Sequence, residues 1–84
     1  MYNRMKCRDN FVLNCEKIRN LEGLTQKQMA DILGITFATY RKMVNYEIDK
    51  IGMCTALNLS EHTGMSVRAL AGDLTDYISL RKLY

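Results

Sequence analysis

The chain has 84 residues, 48% hydrophobic and 25% charged, with a formal net charge of +3. That is enough for one small domain with a thin core, burying somewhat more than about 60% of its unfolded surface. No apolar run nears the roughly 18 residues of a membrane span and no signal-peptide core opens the chain, so a cytoplasmic protein without a membrane partner is expected.

Cys7, Cys15 and Cys54 cannot all pair with one another, and their spacing fits no zinc pattern. No disulfide, metal or cofactor is expected, and Cys15 and Cys54 read as small buried hydrophobes on apolar stripes. The charge is unevenly placed. Arg4, Lys6 and Arg8 stand in residues 1–8 with no acid beside them, whereas basic and acidic residues cancel from Asp9 onward. Residues 1–8 read as a basic arm, either a solvated terminus or one that follows phosphates or a minor groove.

Apolar residues recur with helical rather than alternating spacing, so an all-α fold is expected. Asp9 is placed to cap a first helix with the stripe Phe11, Val12, Cys15, Ile18 and Glu22, stopping at Gly23. Thr25 and Gln28 then form a capping box for a second helix, with Met29, Ile32 and Leu33 inward and Ala30 allowing a close crossing. Gly34 supplies the left-handed turn that ends it.

Thr36 caps a third helix, with Ile35 tucked beneath the turn and Tyr40, Met43 and Val44 inward. Residues 45–50 read as a loop. Residues 51–63 read as a fourth helix with Met53, Ala56, Leu57 and Leu59 inward and His62 at the surface, stopped by Gly64. Ser66 caps a short fifth helix through Leu70. In residues 75–84, Tyr77, Leu80, Arg81 and Tyr84 share one helical face. So short an amphipathic segment is marginal alone, and either packs back on the 9–74 domain or dimerises.

The second and third helices, joined by Leu33, Gly34, Ile35 and Thr36, form a helix-turn-helix. With Tyr40 and Met43 committed inward, Phe37, Ala38, Arg41, Lys42 and Asn45 are left facing out. For Arg41 and Lys42 the plain alternative is a solvated charged edge, and for Phe37 a ring packed on its own domain's surface.

The residues Arg19, Gly23-Leu24-Thr25-Gln26, Gln28-Met29-Ala30, Leu33-Gly34-Ile35-Thr36 and Thr39 carry a resemblance that continues through Leu59, Gly64-Met65-Ser66 and Leu70. Over residues 11–74 the chain resembles the Cro/C1-type (XRE-like) helix-turn-helix family of phage repressors and bacterial regulators. The resemblance implies a compact, lambda-repressor-like bundle of about five short helices whose third helix enters the major groove of double-stranded DNA. By position, Phe37, Ala38 and Arg41 would meet base edges. Gln26, Thr36, Thr39, Lys42 and Asn45 would meet the phosphate backbone. A homodimer on a palindromic operator is implied, and no small-molecule ligand is evident.

Three positions depart from the family pattern. Val44 stands where many members have a Glu that pairs with the first-helix arginine, which leaves Arg19 to Glu47, to Glu22 or to no partner. Tyr40 replaces a usual aliphatic residue, and its hydroxyl needs water or a partner. The loop after the third helix lacks the common glycine and proline.

The expected function is a sequence-specific transcriptional regulator, a small phage or prophage repressor. The alternative is a protein-binding module such as an antitoxin. A nonspecific architectural DNA binder is disfavoured by the near-neutral body. With one histidine and no phosphate-cradling glycine loop, an enzyme is not expected.

Overall fold

In the computed structural model residues 4–72 are described, with side chains from residue 7 onward. Residues 75–84 and their expected amphipathic face lie outside the described residues. Five helices follow in order, α1 (Arg4–Glu22), α2 (Gln26–Leu33), α3 (Phe37–Val44), α4 (Met53–Thr63) and α5 (Val67–Leu70), and no strand occurs among the described residues.

The first helix starts earlier than Asp9. Asp9 lies inside α1, where its carboxylate takes the Arg8 guanidinium at 3.2 Å instead of capping backbone amides. Arg8 also donates to the Ile48 carbonyl at 3.2 Å. The backbone from Arg4 on, read from sequence as an arm, thus belongs to α1, and Arg8 ties that helix to the loop after α3.

α2 begins with the expected capping box: the Thr25 hydroxyl accepts the Gln28 N–H, and the Gln28 amide oxygen accepts the Thr25 N–H. Each side chain satisfies an orphan donor of the first turn. The helix ends at Gly34 with φ +73°. Two constraints meet at this residue. Its backbone is left-handed, which costs a residue with a Cβ roughly 1–2 kcal/mol. A Cβ there would also sit 2.9 Å from Nδ2 of Asn58 on α4. That same amide donates to the Leu33 carbonyl at 3.0 Å, so α4 caps the C-terminus of α2 through a contact that requires glycine next door.

The core gathers Phe11, Val12, Cys15 and Ile18 from α1, Met29, Ala30 and Leu33 from α2, Tyr40 and Met43 from α3, Leu59 from α4 and Leu70 from α5. Ile32, Ile35 and Val44 pack against it, partly buried. α4 is turned from the expected phase. Leu59 and Thr55 are buried, while Met53 is 78% exposed and Leu57 49% exposed. Cys54, expected inside, is exposed as well, and only Cys15 of the three thiols is buried.

The cause is that the apolar residues of α4 are spread over more than half of its circumference, so polar anchors decide its rotation. Asn58 must reach the Leu33 carbonyl, and Ser60 must donate to the Met65 carbonyl (2.5 Å). α5 is held against α1 by Asn14, itself 3% exposed, which donates to the carbonyls of Leu70 (2.6 Å) and Gly72 (3.0 Å).

Gly34→Ala is expected to lower the stability of the fold by about 1–3 kcal/mol through the left-handed backbone and the Asn58 contact. The melting temperature read by circular dichroism should fall by roughly 4–8 °C for each kcal/mol. An unchanged melting temperature would show that neither constraint operates.

Candidate nucleic-acid interface

α3 is held by its inner side. Tyr40 is 0% exposed and Met43 is buried beside it, which leaves Phe37, Ala38, Arg41, Lys42 and Asn45 all exposed on the outer side. Phe37 is 43% exposed, and the Arg41 guanidinium lies over its ring, 5.8 Å from the centroid. A flat cation on an aromatic face at this distance is weakly attractive and limits the rotamers that Arg41 explores. Arg41 and Lys42 also occupy the last turn of α3, where positive charge suits the helix dipole.

The N-terminus of α3 uses the threonine pair. The Thr36 hydroxyl accepts the Thr39 N–H at 3.1 Å and donates its proton to the Thr39 hydroxyl at 2.8 Å.

At the other end, the missing glycine is replaced by strain. Tyr46 has φ +59°, its N–H donates to the Met43 carbonyl, and the Glu47 N–H donates to the Lys42 carbonyl at 2.8 Å. This is the pattern of a left-handed helix stop, in which a tyrosine fills the position usually given to glycine. Tyr46 is 47% exposed just beyond Asn45, a placement that sequence reasoning missed because no glycine marked the stop.

The buried end of Tyr40 explains how the outer face is aimed. Its hydroxyl donates to Oε2 of Glu16 on α1 at 2.5 Å. Arg19, one turn further on, binds the same carboxylate with Nε and Nη2, both at 2.9 Å, and donates Nη1 to the Leu24 carbonyl at 2.8 Å. The Glu16–Arg19 pair thus joins α1, the turn before α2 and α3.

Of the partners considered for Arg19, neither Glu22 nor Glu47 is the one bound. Glu22 meets His62 Nε2 at 2.6 Å instead, and His62 is at the surface as expected. Glu16 went unnoticed in the sequence because its spacing to Arg19 looks like an ordinary surface pair. The Tyr40 hydroxyl was the available clue.

The electrostatics follow. Glu16 is held below its ordinary range, first by the Arg19 hydrogen bond and then by that from Tyr40 and by the Arg19 charge, against a rise from partial burial. The Tyr40 hydroxyl is pushed well above its usual range by burial and by donation to the carboxylate. Arg19 is raised by the same carboxylate. Cys15, beside Glu16 in sequence, is driven far up by burial and stays a neutral thiol.

A helix-turn-helix whose second helix is braced from behind and bare in front defines a DNA-binding class of domain. Residues 16–70, well over half of the chain, match the family described as Helix-turn-helix, HTH_3. The chain belongs to this Cro/C1-type family, whose members are DNA-binding regulators. No curated protein and no solved structure matches the chain. Among the described residues, no helix is long and apolar enough to cross a membrane.

Tyr40→Phe leaves a partly buried carboxylate with one donor fewer, and is expected to cost about 1.5–3 kcal/mol in a urea titration at pH 7. The pH dependence has a definite sign. Glu16 has its carboxyl pKa depressed by folding, so its contribution is fully present above the ordinary Glu value of about 4.3 and is lost as pH falls through the depressed value. Glu16→Gln should therefore be most destabilising at neutral pH and converge on the parent protein under acid. Parallel stability curves down to pH 3 would contradict this.

Proposed function

We propose that the chain is a sequence-specific transcriptional regulator, of the small phage or prophage repressor kind, binding a palindromic operator as a homodimer in the cytoplasm. α3 enters the major groove from its N-terminal end. Arg41, the one long donor fork on that face, pairs with O6 and N7 of a guanine, while Phe37 and Ala38 pack on thymine methyls or sugar edges. Gln26, Thr36, Thr39, Lys42 and Asn45 meet phosphates, with Gln26 helped by the amides at the α2 N-terminus.

The observation that carries this reading is the two-sidedness of α3: Tyr40 is sealed and hydrogen-bonded on one side while the residues of the other are exposed. The Arg41–Phe37 contact supports it further, since a guanidinium held along a ring is partly organised before DNA arrives. A single helix-turn-helix contacts few base pairs. A dimer gains affinity from two half-sites about 34 Å apart.

The exposure of Phe37, with a net charge of only +3, gives some support to a protein-binding role such as that of an antitoxin. A tight protein complex that buries α3, without specific DNA binding, would establish that role instead.

Selection of bound sequences from random duplexes, followed by fluorescence anisotropy at two salt concentrations, tests the DNA reading. Arg41→Ala should lose about 1–3 kcal/mol of discrimination at one G·C pair, roughly 5- to 150-fold. Lys42→Ala should weaken binding to all sequences alike and reduce the salt slope by about 1. Equal and feeble binding to selected and scrambled DNA would reject sequence-specific recognition.

A further inference from the structure

A groove of about 580 Å³ lies on the side of the molecule formed by α1, α4 and α5. Phe11 lines it from α1, Ile51 from the preceding loop, Met53 and Leu57 from α4, and Val67 and Ala71 from the α5 end. None of these residues belongs to the proposed DNA face. Met53 and Leu57 are the two large apolar side chains that α4 turns outward, and an exposed apolar patch beside a formed groove calls for an occupant.

We propose that the occupant is residues 75–84 of the same chain, docked with Tyr77, Leu80 and Tyr84 toward the groove. Three observations converge on it. The chain leaves from the groove's own wall: Ala71 lines the groove and Gly72 follows it.

The exit is also clamped. Asn14 binds the Leu70 and Gly72 carbonyls, and Asn10, one turn earlier on α1, donates to the Ala71 carbonyl at 3.2 Å. Two amides of α1 thus grip three successive carbonyls, and fix where the following residues begin.

Finally, the length and pattern suit the site. As a helix, residues 75–84 span roughly 15 Å, and their apolar residues recur at helical spacing. Such a segment has little helical stability in water and needs a surface to fold on. Tethered through Gly72 and Asp73, it meets this one at an effective concentration on the millimolar scale, which favours its own chain over a second copy.

The experiment uses the full chain in a mixture of ¹³C-labelled and unlabelled protein. Nuclear Overhauser contacts from the Tyr77 and Tyr84 rings to the Leu57 and Val67 methyls are expected within one chain, unchanged on tenfold dilution and absent from the isotope-filtered, between-chain spectrum. Contacts only between chains would assign the groove to a dimer and overturn the proposal, as would the absence of any.

A second readout avoids the core. The Tyr77→Ser/Leu80→Ser double variant should speed alkylation of Cys7, which lines the groove, while exposed Cys54, which does not line it, reacts as before. An unchanged Cys7 rate would also overturn it. Neither result depends on DNA binding, so this proposal and the repressor reading fail separately.

Discussion

The Glu16 carboxylate is the constraint on which the rest of this small fold depends. It is the acceptor for a tyrosine hydroxyl from α3 and a two-nitrogen arginine contact from its own helix. A partly buried carboxylate is costly unless its lone pairs are taken up, and here three donors do so. Because they come from different elements, satisfying the charge also fixes the rotation of α3 and the entry of α2. Apolar packing alone would let a short helix roll about its axis. A 2.5 Å hydrogen bond at one end of a fully enclosed ring leaves much less freedom.

The turn between α2 and α3 adds a second fixed point by a different means. Its geometry comes from a left-handed glycine with an α4 amide packed against it, so the same few atoms end α2, start α3 and seat α4. The stop after α3 is built the opposite way, with a tyrosine in a backbone conformation that glycine would adopt at less cost. Residues held in such conformations tend to gather at functional sites, and Tyr46 stands beside the exposed end of α3.

Helix caps and turns were the most legible part of the sequence. Thr25, Gln28, Gly34, Thr36 and Ser66 all act where their local chemistry places them, because a cap is decided by residues within one turn. The outward residues of α3 were legible for a related reason: once Tyr40 and Met43 turn inward, the 3.6-residue period fixes the remainder.

What failed depended on distant partners. Asp9 looked like a cap, but the start of α1 is tied through Arg8 to a carbonyl forty residues away. The phase of α4 could not be read from hydrophobicity, since Met53, Cys54, Ala56, Leu57 and Leu59 cover most of its circumference, and the choice fell to Asn58 and Ser60. Arg19 was assigned candidate partners by family pattern, whereas its actual partner is one turn behind it and shared with Tyr40.

The roles proposed for the two surfaces rest on separate supports. The face offered to DNA comes from α3 and the first turn of α2, steadied by Glu16. The groove comes from the first half of α1, the start of α4 and the end of α5, steadied by Asn10 and Asn14. The two meet through the core, where Phe11 is both a groove wall and a core residue together with Tyr40, and through the loop after α3, whose Asp49 and Lys50 line the groove and whose Ile48 carbonyl accepts from Arg8. A change at Phe11 therefore reaches α3 through packing, by loosening a thin core, rather than by altering a charge or a donor there. Since close-packed interiors transmit volume changes more readily than surface polarity, substitutions at Phe11 couple the two surfaces, whereas substitutions at the exposed Met53 or Leu57 leave the outer residues of α3 in place.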